Sequence, residues 1–225
     1  MSCHSNVAVV QFDTRSPEEI SWIAKTCEVN KQHAENLGWT HYFISYQIPD
    51  TSWDPRAYKI HLFNEFLTNH PHNHLVVFLD TDAWISNPVM LLNLITDKLH
   101  HNIQGIFSRD PYPPEYNTYL NTGGFIVKNN DYTKSMFSEL AKEISTSRWK
   151  RQKYHDQRVV SEYVLSHRKD FFICKYDILN SPDGKIITHQ WHGKPCLIPR
   201  CRVEEQYNIF SLDDVECKQP WKRHY

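Results

Sequence analysis

Residues 75–88 read LVVFLDTDAWISNP, and this stretch decides how the rest of the chain is interpreted. Its five apolar residues, Leu75 to Leu79, are typical of a buried strand of the parallel type. The run ends on two carboxylates, Asp80 and Asp82, with one residue between them. Ligands of an open α/β sheet bind beyond the carboxyl ends of its strands, so we expect both carboxylates at a ligand site.

The spacing of Asp80 and Asp82 predicts a divalent-metal site. Side chains two residues apart on an extended backbone point to the same side. Two neighbouring anions are unfavourable unless a cation or a shared proton neutralises them. The alternative is that the two carboxylates only cap a loop or the helix that follows.

Composition narrows the class of protein. The chain has 225 residues with 25 basic and 26 acidic side chains, so we expect one α/β domain and no nucleic-acid partner. Its 7 Trp, 12 Tyr and 11 Phe residues favour a carbohydrate ligand, because sugars bind on flat aromatic faces flanked by polar groups. No stretch approaches the ~18–20 apolar residues of a membrane span, and no signal peptide is recognisable. We therefore expect a soluble, cytoplasmic protein, or a catalytic domain that lacks its membrane anchor.

Strand and helix patterns alternate along the first half of the chain and become mixed along the second. The first helix is predicted to begin at Pro17, with Ser16 as its N-cap and Gly38 after its end. The pattern predicts an α/β fold with a mixed, mostly parallel central sheet flanked by helices. We predict strands at 7–12, 40–46, 75–79, 104–108, 121–128, 171–176 and 185–189, and helices at 17–37, 56–69, 88–100, 131–147 and 156–168.

Further polar clusters follow predicted strands or open a predicted helix. They read NTGG at 121–124, HDQ at 155–157 and HQWHGK at 189–194. Either His189 or His192 could join the two aspartates around one metal, and Mn²⁺ accepts such mixed carboxylate and imidazole ligands. Lys194, and Lys59 in the helix before the aspartates, could then neutralise a diphosphate. Taken singly, each feature has an ordinary explanation as a structural histidine, a glycine turn or a solvated lysine.

Several segments occur in an order that resembles a known enzyme family. They are NKQHAENLGWTHYF (30–43), AYKIHLF (57–63), FLDTDAWISNP (78–88), RDPYPPEYNTYLNTGGFIVKN (109–129), HDQ (155–157) and THQWHGKPC (188–196). On these segments the chain resembles a metal-dependent glycosyltransferase of the GT-A fold. More narrowly, it resembles glycosyltransferase family 34, the galactosyl-, mannosyl- and xylosyltransferase group. The resemblance covers about residues 7–200.

The resemblance implies one GT-A (Rossmann-like) catalytic domain over residues 1–225. Its nucleotide-binding half would be about 1–108, its acceptor and donor-sugar half about 109–200, and its C-terminal tail 201–225.

The resemblance also implies roles for individual residues. Asp80 and Asp82 would form the DxD motif, with Asp82 on the metal and Asp80 on the metal, the ribose or the donor sugar. His189 would complete the metal set of Asp80, Asp82 and His189. The implied catalytic residues are Asp156, Gln157 and the phosphate-binding Lys194. The implied donor-binding residues are Gln11, Asp13, Arg15, Lys59, Asp80, Asn121, Thr122 and Gly123. Apart from the resemblance, the proline- and tyrosine-rich loop 110–120 and Trp191 are candidates for acceptor or donor-sugar contact, and Asp110 and Gly193 are further donor-binding candidates.

The chain departs from the family pattern at two places. His155 stands where the family commonly has the first acid of an acidic pair. Three residues after the metal histidine the family usually has glycine, whereas this chain has His192 there and Gly193 next. Ligation of the metal by His189 or by His192 therefore stays open.

The implied reaction moves a hexose or pentose from a nucleoside diphosphate sugar to an acceptor hydroxyl on a glycan, with Mn²⁺ or Mg²⁺ as cofactor. Family habit favours a UDP-sugar over a GDP-sugar and retention of the anomeric configuration. Retention would proceed by front-face attack or through a covalent intermediate on Asp156, and the sequence does not choose between these routes.

Two other functions are compatible with parts of the pattern. A phosphatase of the haloacid dehalogenase type also places two aspartates after an apolar strand and uses the first as a nucleophile. That class usually has a small hydroxyl residue or Val where this chain has Trp84, and no convincing acidic pair follows. A non-catalytic carbohydrate-binding module needs aromatic faces but no diphosphate site, so it would leave the aspartates, His189 and Lys194 idle.

Overall fold

The computed structural model describes residues 6–99, 102–110, 120–146 and 155–190. The strands of this part of the chain are β1 Val7–Asp13, β2 Thr40–Ser45, β3 Leu75–Leu79, β4 Ala83–Ile85, β5 Gly105–Arg109, β6 Leu120–Lys128, β7 Phe171–Cys174 and β8 Ile187–His189. The helices are α1 Ser21–Asn36, α2 Pro55–Asn69, α3 Pro88–Lys98, α4 Asp131–Ile144, α5 His155–Ser166 and α6 Tyr176–Leu179, with a short 3₁₀ turn at Arg168–Asp170. None of the helices in these ranges is both long and apolar enough to cross a membrane.

The central sheet has six strands in the order β2-β1-β3-β6-β5-β7 within the described residues. Strands β1, β2 and β3 run parallel to one another, and β5 runs parallel to β7. Strand β6 lies between the two groups and is antiparallel to both of its neighbours. The predicted α/β architecture with a mixed, mostly parallel sheet flanked by helices is confirmed.

Both faces of the sheet are covered, which explains the unbroken apolar runs in the sequence. Along β1, Ala8 and Val10 pack into one core with α2, α4 and α5, while Val7 and Val9 pack into a second core on the opposite face with α1 and α3. A strand buried on both sides cannot alternate apolar with polar residues, so it reads as continuously hydrophobic. This is the pattern that the sequence shows at β1 and β3.

The first core is built largely from aromatic rings. Phe63 of α2 and Phe137 of α4 pack against Phe78, Phe107 and Phe125 of the sheet, with neighbouring ring centroids 4.5–6.0 Å apart. Most of these pairs are stacked or edge-on, and such pairs add about 0.5–1.5 kcal/mol each beyond their buried area. The aromatic content that suggested a sugar ligand is thus partly core packing.

The predicted elements are present, but the start of the first helix was wrong. Ser16 accepts hydrogen bonds from Glu18 and Glu19, which closes a separate turn before the helix. Ile20 then has extended backbone angles, and α1 begins at Ser21. The end was predicted correctly, since Gly38 adopts φ +71°, a conformation that favours glycine.

Two short elements were not predicted, and both matter for the site. Strand β4 follows the aspartates directly, and α6 precedes β8. Each has only three or four residues, too few for a periodic pattern to be recognised. Strand β4 pairs with β8 so that Ala83 lies opposite His189.

The loop between β3 and β4 is fixed by backbone hydrogen bonds on both sides. The amide of Asp80 donates to the carbonyl of Gly123 at 2.7 Å, which continues the β3–β6 pairing past the end of β3. The amide of Gln190 donates to the carbonyl of Asp82 at 2.9 Å. The loop is therefore held between β6 and the end of β8.

A buried polar network supports this loop from below. Gln11 of β1 is fully buried, and its amide group donates to the carbonyl of Asp80 at 3.2 Å. The carbonyl oxygen of the same side chain accepts from Asn30 at 3.1 Å and lies 3.0 Å from the ring nitrogen Nε2 of His41. Burial and then the nearby Lys31 charge lower the pKa of His41 to about 4.

We predict that His41 makes the protein sensitive to acid. The unfolded chain binds a proton at this residue near its ordinary pKa of 6.5, whereas the folded protein does so only near 4, so stability is present above pH 6.5 and is lost as the pH falls. The expected loss across this window is roughly 1–3 kcal/mol. Urea unfolding of His41→Gln at several pH values should show a smaller decline than the wild type. His72→Gln, at an exposed site, is the control, and an identical decline in the wild type and His41→Gln would contradict the assignment.

Candidate functional site

A cavity of about 510 Å³ opens at the carboxyl ends of β1 and β3. Its walls include the end of β1, the start of α2 and the loop that carries Asp80 and Asp82. This is the edge of the sheet at which the sequence predicted a ligand site. The volume is in the range that small-molecule sites occupy.

Asp80, Asp82 and His189 meet at this cavity. One ligand atom from each lies within 4.8 Å of the other two. The ring nitrogen Nε2 of His189 is 3.1 Å from Oδ1 of Asp82 and 3.9 Å from Oδ2 of Asp80. The two carboxylates are about one-third exposed, whereas His189 is buried behind them. A cation would therefore enter this site from the cavity, past the two carboxylates, and would meet the histidine on its inner side.

Gly123 makes room for the His189 ring. A Cβ atom at position 123 would lie 1.8 Å from Cε1 of His189, which no side chain can occupy. The group that approaches this glycine is therefore the histidine ring. Its neighbours Asn121 and Thr122 are also buried within β6, so all three predicted donor-sugar residues lie in the wall behind the metal-site cluster.

Lys59 lies between two carboxylates instead of standing alone in the cavity. Its Nζ atom is 3.0 and 3.3 Å from the two oxygens of Asp80 and 2.9 Å from Oδ2 of Asp156. Burial lowers the pKa of Lys59, but the charges of Asp156 and Asp80 outweigh it and the pKa is raised, so the ammonium form is firmly held. Lys59 was predicted to contact a diphosphate, and its donors are instead engaged with these two side chains.

Asp156 is held in place from two sides. Thr122 donates a hydrogen bond of 2.6 Å to its Oδ2 atom, the same oxygen that Lys59 contacts. It lies in the first turn of α5, where the positive end of the helix dipole stabilises an anion. Only 3% of the residue is exposed. Gln157, the next residue, is half-buried.

The charges around the cavity leave an excess of negative charge. Two arginines of the cavity wall pair with the aspartate two residues before them, Arg15 with Asp13 and Arg56 with Asp54. The remaining carboxylates are those of the cluster and of Asp156, and among the described residues of the cavity Lys59 is the cation that faces them. With His189 neutral, a formal charge of about −2 is left over, which a divalent cation would balance.

The donor set also fits a divalent cation. Burial raises the pKa of Asp80, which Lys59 opposes, so its carboxylate benefits from a further positive neighbour. Two carboxylates and one imidazole suit Mn²⁺ well and Mg²⁺ less well, because Mg²⁺ prefers oxygen ligands. The residues present therefore fit the metal that the sequence predicted.

Asp13 lies at the cavity wall and holds Arg15 in position. Its Oδ1 atom accepts from the amide and Nε of Arg15, and its Oδ2 atom accepts from Nη2 of Arg15 and from Thr81. These four bonds fill the acceptor positions of a carboxylate. Arg15 is 45% exposed and lies 5.2 Å from the Trp22 ring, so it is the group at this end of β1 that can reach a ligand. Gln11, predicted beside it, is fully buried and supports Asp80 instead.

Several predicted residues cannot be placed in the same way. Asp110 is half-buried directly after β5. Trp191, Gly193 and Lys194, together with the alternative ligand His192, lie outside the described residues, so their predicted roles stay predictions. Sequence reasoning missed Asn180, Thr81 and Trp22. Asn180 belongs to no motif, Thr81 is the variable middle residue of the aspartate motif, and Trp22 had only its aromatic character as a signal.

Comparisons with known proteins agree with this geometry. The family model described as nucleotide-diphospho-sugar transferase matches residues 3–181. Among solved structures, the crystal structure of a glycosyltransferase involved in the glycosylation of the major capsid of PBCV-1 is similar, with a TM-score of 0.68 and 16% sequence identity. That match covers 90% of this chain and 99% of the other, and at this identity the likeness concerns the fold alone. No curated protein matches the sequence significantly.

We predict that Gly123→Ala weakens binding of a divalent cation by about tenfold or more, because the added methyl group displaces the His189 ring. Gly38→Ala is the control, since it strains a backbone position with φ +71° while its added methyl group meets nothing within 4 Å, so it can lower stability without touching His189. Titration calorimetry with Mn²⁺ measures both variants. Equal Mn²⁺ affinity in the two proteins would contradict the placement of His189 against Gly123.

Lys59→Met is expected to lower the free energy of unfolding by about 3 kcal/mol, since it leaves the buried Asp156 and the partly exposed Asp80 without their cation. At lower pH the free energies of unfolding of the variant and the wild type should come closer together, because protonation of Asp80 removes its uncompensated charge. The control is Lys185→Met, which breaks an exposed pair with Asp177 and should change stability little. Denaturant unfolding at two pH values makes the comparison, and a Lys59 variant as stable as the Lys185 variant would contradict the buried-pair assignment.

Proposed function

Because this chain belongs to the nucleotide-diphospho-sugar transferase family, we propose that it is a metal-dependent enzyme that moves a hexose or pentose from a UDP-sugar to a hydroxyl of a glycan acceptor. Membership of the family shows that the chain is a glycosyltransferase. The need for a metal, the identity of the donor and the identity of the acceptor are what we propose. The observation that carries it is the cluster of Asp80, Asp82 and His189 at the cavity.

The cluster would hold Mn²⁺ or Mg²⁺. When bound, such an ion supplies positive charge that stabilises the negative charge of a diphosphate leaving group. Asp82 and His189 would bind it directly, and Asp80, already shared with Lys59, would bind it on its exposed side. Arg15 would add a second cation from the opposite wall of the cavity, held in position by Asp13.

Asp156 would stabilise positive charge that develops on the sugar. The anomeric centre becomes oxocarbenium-like as its bond to the leaving group lengthens. A carboxylate fixed by Thr122 and Lys59 needs no reorganisation to meet that charge. Gln157 and Lys194 keep the roles that the family resemblance implies, with Gln157 near the sugar or acceptor and Lys194 on the phosphates.

We favour retention by front-face attack over a covalent intermediate on Asp156. The supporting observation is that Asp156 is buried and that its Oδ2 atom carries two hydrogen bonds, which lower the reactivity of a nucleophile. The departing diphosphate would then accept the proton of the acceptor hydroxyl. Proton NMR of the product anomeric centre distinguishes retention from inversion. Mass spectrometry of the protein mixed with donor distinguishes the two retaining routes, because only the covalent route adds the mass of a sugar to Asp156.

The finer identity of the enzyme stays a prediction. Membership of glycosyltransferase family 34 and the preference for UDP over GDP rest on the motifs in the sequence. The phosphatase interpretation has lost its support, because the family match is to a transferase and Asp80 is engaged by Lys59. The loop 110–120 keeps its proposed contact with the acceptor or the donor sugar, and its residues 111–119 lie outside the described residues.

The test is calorimetric binding of UDP and GDP with Mn²⁺ and then with EDTA. We expect metal-dependent binding of UDP in the wild type and its loss in Asp82→Asn, because the substitution removes a charged ligand from the cluster. Asp97→Asn, at an exposed site on α3, is the control and should bind as the wild type does. Nucleotide binding that survives EDTA or Asp82→Asn unchanged would contradict the metal-dependent proposal.

A further inference from the structure

Asn180 occupies a buried position between the sheet and the metal-site cluster. It follows α6 directly and is fully buried. Its Nδ2 atom donates to the carbonyl oxygens of Asn121 at 3.2 Å and Gly124 at 2.8 Å. Its Oδ1 atom lies 3.0 Å from Nδ1 of His189. One amide side chain therefore connects two backbone positions of β6 to the histidine of the cluster.

These contacts fix which ring nitrogen of His189 carries a proton. Backbone carbonyls only accept hydrogen bonds, so the amide nitrogen of Asn180 must face Asn121 and Gly124, and its oxygen must face His189. An amide oxygen is an acceptor, and Nδ1 of His189 must therefore be the donor. In a neutral imidazole the other nitrogen, Nε2, then carries the lone pair.

The lone pair of Nε2 points toward carboxylate oxygens. Nε2 lies 3.1 Å from Oδ1 of Asp82, and both atoms are acceptors in the neutral ring with Nδ1 protonated, so their contact is unfavourable until a second proton or a metal cation lies between them. The opposite tautomer would let Nε2 donate to Asp82, but it would set the Nδ1 lone pair against the oxygen of Asn180. Asn180 thus disfavours the tautomer in which His189 is only a hydrogen-bond partner of Asp82.

We propose that Asn180 is a positioning residue that fixes the Nδ1-protonated tautomer of His189 and so presents Nε2 to a divalent cation. The inference rests on the proposed metal site. Gly123 sets where the ring lies, since any side chain there would collide with it, and Asn180 sets which nitrogen faces the carboxylates. Partners of this kind orient metal-binding histidines, and their loss typically costs 10–100-fold in metal affinity.

The first test uses the unaltered, metal-free protein. Nitrogen-15 NMR of histidine-labelled protein separates the two neutral tautomers by their ring-nitrogen shifts, and the signals missing in His189→Gln identify the residue. We expect the Nδ1-protonated form in the wild type at a pH where the ring is neutral. An Nε2-protonated His189 would overturn the proposal, and this readout needs neither bound metal nor activity.

The second test compares Mn²⁺ affinity in Asn180→Ala and Asn180→Asp. The alanine variant should bind Mn²⁺ about 10–100-fold more weakly than the wild type. The aspartate variant loses the two donors to β6 but keeps an acceptor for Nδ1, so its affinity should recover toward the wild type even if its stability falls. Asn129→Ala is the control, because it removes a hydrogen bond to the carbonyl of His70 near the other end of β6.

The outcomes separate this inference from the proposed function. Equal losses of Mn²⁺ affinity in the alanine and aspartate variants would mean that Asn180 acts only through the backbone of β6, and would overturn the positioning role. Wild-type affinity in Asn180→Ala would overturn it as well. A wild-type protein that binds no Mn²⁺ yet shows the Nδ1-protonated tautomer would refute the metal site while leaving the tautomer assignment standing.

Discussion

The ammonium group of Lys59 allows carboxylates from two different elements to share the end of the central sheet. Asp80 follows β3 and Asp156 opens α5, and each has an oxygen within 3.0 Å of Nζ. An uncompensated charge in a buried position costs several kcal/mol, so these elements can pack together only with a cation between them. Lysine can do this because its flexible stem extends from α2 and brings the ammonium group to both carboxylates and to within 5.4 Å of the centre of the Phe78 ring. The single positive charge of Lys59 does not balance all of the carboxylates around it. The negative charge that is left over lies beside the cavity.

The loop that carries the two aspartates is rigid for a separate reason. Its backbone carbonyls accept from buried side chains of neighbouring elements: Gln11 donates to Asp80, and Thr26 and Asn30 of α1 donate to residues 81 and 83. Each such bond contributes about 1 kcal/mol, and losing one would leave a buried carbonyl unsatisfied. The backbone is thus fixed while the carboxylates themselves stay partly open. A site built in this way binds a cation without first having to order its ligands.

The sequence predicted the parts of the site that depend on local pattern, and it could not predict those that depend on distant pairing. Asp80 and Asp82 were recognisable because an apolar strand precedes them. Sequence reasoning offered His189 or His192 as the third ligand without choosing between them, since the position of His189 beside Asp82 comes from the pairing of β8 with β4, a strand too short to be recognised. Lys59 was expected to be open to a phosphate, because nothing in its helix reveals that Asp156 lies opposite. Asn180 and the true partner of Gly123 gave no signal, since both act through contacts between elements far apart in the chain.

The charged groups differ between the two ends of the loop that carries Asp80 and Asp82. Arg15 is an exposed cation on the β1 side, and its pKa is raised mainly by the hydrogen-bonded Asp13 and to a smaller extent by the charge of Asp82. Lys59 is buried on the other side of Asp80, next to Asp156, and these two carboxylates neutralise its charge. A ligand therefore meets positive charge at one end of the aspartate loop and a fixed carboxylate behind the other. A sugar diphosphate has the matching polarity, with anionic phosphates at one end and, during transfer, an electron-poor anomeric carbon at the other. The chain separates these two requirements by burying one cation and exposing the other.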